Sequence, residues 1–98
     1  MIPFCVDKYL ILYNLISPLK KEAAYYLKLE RLATNVVEDI VFIYSLDINE
    51  IVPQYFVEIF RSIANCKGDR IFPMDLMVLI SKQTTYLILK SEAIAREV

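Results

Sequence analysis

Residues 25–43 read YYLKLERLATNVVEDIVFI, and the spacing of their apolar side chains decides the fold. Tyr25, Leu29, Leu32, Val36, Ile40 and Ile43 recur at intervals of three and four, which places them on one side of an α-helix. Lys28, Arg31, Asn35 and Glu38 fall on the opposite side, in line with Lys21 just upstream. Pro18 stands where a helix can begin, because the first turn leaves its N–H groups unpaired and proline has none to lose. Ser17 before it suits an N-cap. The helix is therefore expected from Pro18 towards Leu46. Beyond Asp39, the run Ile40-Val41-Phe42-Ile43-Tyr44 is β-branched and aromatic, a composition that also suits a strand. No glycine or proline separates it from the helix, so it reads as helical.

The same punctuation divides the rest of the chain. Pro3, Pro53 and Pro73 each mark a further helix start. The first segment, from about Pro3 to Ile16, carries only Asp7, Lys8 and Asn14 as a narrow polar strip, so most of it must be covered. Asp47-Ile48-Asn49-Glu50 has the acid spacing of a capping box. Pro53 would break a helix begun there, which gives a short turn over 47–51 and a third helix from Pro53. In that helix Gln54, Glu58, Arg61, Ser62 and Asn65 form a polar stripe. Gly68, the chain's one glycine, is its natural left-handed cap. From Pro73 onward Leu76, Leu79, Ile80, Leu87, Ile94 and Val98 share one side, with Asp75, Lys82, Thr85, Glu92 and Arg96 on the other. The polar run Ser81-Lys82-Gln83-Thr84-Thr85 is the place where this helix would break. The reading is one all-α domain over residues 1–98, a compact bundle of about four helices. The alternative is a small α+β domain with strands near 40–46 and 84–90.

Composition removes whole classes of function. The 98 residues are 57% apolar, with a net charge of −1 and no histidine. That length suits one domain, and the apolar share exceeds the usual range, so part of the apolar surface is expected to meet a partner. The longest uncharged stretch, Tyr9 to Leu19, is too short to cross a membrane. No secretory leader is visible, which points to the cytoplasm. Two cysteines without histidine do not complete a zinc site, and Cys5 and Cys66 are expected as buried thiols acting as small hydrophobes. Abundant Ile, Tyr, Lys and Glu with little Gln point to a heat-adapted source or an AT-rich genome.

General acid–base work most often uses histidine, and hydroxyl or thiol nucleophiles need a neighbouring base. Glu38 with Asp39 reads as a solvated pair, and Asp47 with Glu50 as caps. No glycine-rich phosphate loop is present. No enzyme, no cofactor and no metal is expected. Two clusters remain. Lys20, Lys21, Lys28 and Arg31 form a basic stripe able to meet phosphates, each contact sensitive to salt. Seven tyrosines and five phenylalanines include the adjacent pairs Tyr25-Tyr26 and Tyr55-Phe56, whose members point about 100° apart on a helix. Aromatics turned outward anchor interfaces. The candidate interface residues are Tyr9, Ile11, Tyr13, Tyr26 and Phe56, with the first helix as the main docking element.

The stretch Arg70-Ile71-Phe72-Pro73-Met74-Asp75-Leu76 resembles the second loop and third-helix start of histone-fold proteins, through Ile71, Pro73, Asp75 and Leu76. It covers 7 of the 98 residues. Gly68 stands where the family usually has an arginine, and Pro53 interrupts the stretch where its long central helix would lie. The resemblance implies dimerisation and a place in a DNA replication or transcription complex. The expectation from the residues themselves is a non-catalytic accessory subunit. It would dock apolar helix faces onto itself or a larger protein, with nucleic acid reached through a larger complex.

Overall fold

The computed structural model describes residues 4–68 and 71–97. Its helices are α1 (Val6–Ile16), α2 (Ala23–Tyr44), α3 (Pro53–Cys66) and α4 (Met74–Glu97). Single 3-10 turns at Ser17–Leu19 and Ile48–Glu50 complete the order. There is no strand among the described residues: 40–44 finishes α2 and 84–90 lies inside α4. The fold is the all-α bundle that the apolar spacing predicts. The expected start at Pro3 lies outside the described residues.

α2 begins later than Pro18. Pro18 sits in the 3-10 turn, and Glu22 is extended (φ −103°, ψ 148°). That bend reverses the chain so that α2 packs back along α1. Its C-terminus is closed without glycine. Ser45 adopts the left-handed conformation (φ 51°), the Leu46 N–H donates to the Val41 carbonyl at 3.1 Å, and the Ser45 N–H to that of Phe42 at 3.4 Å. This is a Schellman motif. In the next turn the Asp47 carboxylate accepts the Asn49 N–H at 3.0 Å, and α3 starts at Pro53. Gly68 (φ 104°) follows α3, its N–H donating to the Asn65 carbonyl at 3.2 Å.

α4 does not break at its polar run. Thr84 is fully buried, and its hydroxyl donates to the Ile80 carbonyl at 2.8 Å. The Thr85 hydroxyl does the same to Ser81 at 3.1 Å. Hydroxyls satisfied on the helix's own backbone cost the segment nothing in unpaired groups, so the helix runs on for 24 residues.

α2 lies between α1 and α4, and α3 packs on α4. Tyr25 meets Asp75 at one end of the α2–α4 pair, while Phe42 and Ile94 border one groove at the other. The two long helices therefore run parallel. The core takes Leu29, Leu32, Val36 and Ile40 from α2, Phe56 and Phe60 from α3, and Leu76 and Ile80 from α4. A run of rings stitches the chain's beginning to its second half. Phe4 stacks on Tyr9 at 5.3 Å and meets Phe60 edge-on at 6.1 Å, and Phe60 meets Phe72 at 4.8 Å.

Helix lengths depart from the histone pattern. The helix before residues 71–76 has 14 residues and the one after it 24, where the resemblance requires a long helix first. Arg70 lies outside the described residues.

Candidate interaction surface

Three of the candidate anchors are core residues. Tyr9, Tyr13 and Phe56 are buried, which takes them off the surface. Each hydroxyl-bearing ring found a partner that the local sequence does not reveal. Tyr9 donates to the Asp39 carboxylate, 30 positions away, and Lys8 pairs with the same carboxylate at 3.6 Å. Asp39 is thus a tie between α1 and α2 rather than a solvated acid. Tyr25 donates to Asp75, with Tyr13 beside it. Asp75, expected in solvent, is instead half-buried under that contact. Burial, followed by the hydrogen bonds to Asp75 and Tyr13, holds the Tyr25 hydroxyl well above its ordinary range. Lys20 lies 5.8 Å from the Tyr13 ring centroid, and hydrogen bonding to Tyr13 raises its ammonium. These polar groups tie α1 and the turn after it to α2 and α4.

Ile11 and Tyr26 do stand outside, at 60% and 64% exposure. In the second aromatic pair the outward member is Tyr55, because Phe56 fills the core. Lys20, Lys21, Lys28 and Arg31 are all exposed, but they do not form one helical stripe. Lys20 and Lys21 precede α2. Lys28 and Arg31 instead flank an apolar groove of about 290 Å³ against Leu12, Leu15, Ile16 and Leu32. Cys5 and Cys66 are both exposed and unbridged, contrary to the buried thiols expected. Among the described residues no group of three or more acids or cysteines is placed to hold a metal ion.

The apolar spacing missed the most exposed rings and chains. Phe42 is 84% and Ile71 88% exposed. Phe42 continues the line Arg31, Asn35, Glu38 along the polar side of α2, so its register already pointed outward. It borders an open groove of about 420 Å³ between the C-terminal halves of α2 and α4. Val41, Ile48, Leu87 and Ile94 line that groove, and Glu38 and Lys90 also border it. A smaller groove of about 240 Å³ at the α3–α4 junction holds Ile71, Phe72, Met74 and Met77.

A scan against protein-family models, a search of curated proteins and a search of solved structures each found no match. No helix among the described residues is long and apolar enough to cross a membrane.

Proposed function

We propose that this chain is a small non-catalytic subunit that docks apolar helix faces onto itself or a larger protein in a multiprotein assembly. One observation carries the reading: the fold leaves more surface open than its mass requires. It exposes 6742 Å², whereas a compact chain of 11.4 kDa exposes about 5800 Å². Fourteen large apolar side chains are exposed among the described residues, and several share a helix face or a groove, the arrangement that marks contact sites. On α1, Ile11 and Leu15 stand one turn apart on the outer side. The free, exposed thiols suit a reducing, intracellular setting.

The test is isolation of the intact complex under gentle conditions with measurement of its mass. A complex heavier than the lone chain, stable or tighter in high salt, is expected. Ile11→Asp should weaken that association while helix content, read by circular dichroism, stays unchanged. Normal elution and binding by that variant would remove α1 from the interface. A steep fall with salt, together with loss of binding after Lys21→Glu and Lys28→Glu, would replace the whole reading by phosphate contact.

A further inference from the structure

The α2–α4 groove has a definite cause. An α-helix rises 1.5 Å per residue, so α3 with its 14 residues spans about 21 Å and α4 with 24 about 36 Å. α3 runs antiparallel to α4: its first turn, at Gln54 and Val57, lies against Val78 and Ser81. Beyond Ser81, α3 has no residues left to cover α4. The core-facing stripe of α4 nevertheless continues. Leu76, Ile80 and Thr84 are fully buried. The same face then passes through half-buried Leu87 and Ser91 to exposed Ile94. Among the described residues the end of α2 and the turn at 48–50 flank it.

The groove's charges are opposed. Glu38 stands on the α2 wall and Lys90 on the α4 wall, both exposed. Among the described residues they form no ion pair with each other. A two-fold axis brings the same patch of both subunits together, so that residue i meets j and j meets i. A groove with an anion on one wall and a cation on the other is complementary to its own copy under that operation.

We infer that the α2–α4 groove is a two-fold interface with a second copy of this chain. Phe42 and Ile94 of each copy enter the apolar groove of the other, and Glu38 of one faces Lys90 of its partner copy. The inference names a surface and an occupant separate from the α1 face, so either can fail alone.

The purified full chain is examined by sedimentation or native mass spectrometry over a range of concentrations. A monomer–dimer equilibrium is expected. Phe42→Asp should weaken it by about a hundredfold, as for a central anchor. Because Phe42 is exposed in the single chain, an unchanged unfolding midpoint is expected for that variant at concentrations where the wild-type chain is monomeric. Glu38→Lys and Lys90→Glu should each weaken the dimer by about tenfold, by facing like charges across the axis. Mixing those two single variants should restore association as a heterodimer, in which both pairs are again opposite in sign. The inference is overturned by a chain that stays monomeric at millimolar concentration. It is equally overturned by a dimer indifferent to these changes, or by a monomer that loses a different protein when Phe42 is replaced. None of these results touches the Ile11→Asp test, so failure here leaves the accessory-subunit reading to be judged separately.

Discussion

Ser45 holds a left-handed backbone at the end of α2, a conformation in which a Cβ crowds the following carbonyl. Ser45→Gly should relieve that crowding and raise unfolding free energy by about 1 kcal/mol, seen as a higher denaturant midpoint at unchanged slope. Tyr25 gives a pH signature. Its hydroxyl is held above the ordinary 10.0 by burial and then by Asp75 and Tyr13. The unfolded chain releases this proton near pH 10 while the folded chain keeps it. Stability from this group is therefore full below pH 10 and falls as pH rises beyond it. Tyr25→Phe should cost about 1–2 kcal/mol at neutral pH by removing the hydroxyl donor from Asp75, which keeps the Leu76 N–H. It should also make the loss above pH 10 shallower, in unfolding curves taken at stepped pH. Neither feature was legible in the sequence. Serine does not announce a positive φ, and the partners of Tyr9 and Tyr25 lie 30 and 50 positions away.

At the scale of elements, periodicity was a good guide where a long face is buried and a poor one at boundaries. Val36, Ile40 and the polar line opposite them fix α2 because a 22-residue helix repeats its pattern many times. The bend at Glu22 was hidden, since Lys20, Lys21 and Glu22 are all good helix formers and the cause is tertiary. The turn at 47–51 and the starts at Pro53 and after Pro73 could be read from proline and aspartate chemistry. Exposure on α1 could not: its tyrosines turn inward because acids on α2 and α4 receive the hydroxyl network. α3 contributes Phe60 to the aromatic run, between Phe4 ahead of α1 and Phe72 ahead of α4. Phe60→Ala should cost about 3–5 kcal/mol, measured by chemical unfolding, and should release the segment before α1 to proteolysis.

For the molecule as a whole, the radius of gyration is 13.9 Å and the principal extents are 44 × 32 × 22 Å, where a chain this long packs to about 12.5 Å. The elongation follows from α4 outrunning α3. Amide exchange should map it: protection through residues 76–84, where packing is complete, falling steeply towards the end of α4. Dimer formation through that half should slow exchange there as concentration rises. The parallel run of α2 and α4 also sets an order of assembly. Parallel neighbours cannot be joined by a tight hairpin, so the intervening turn, α3 and the loop before residue 74 must all be made first. During N-to-C synthesis α1 and α2 can pair early, while the flank of α2 reserved for α4 waits, wet and adhesive, until the ribosome has released nearly all of the described chain. In the cell, a stalled or truncated nascent chain would be a client for chaperones rather than a shorter working protein.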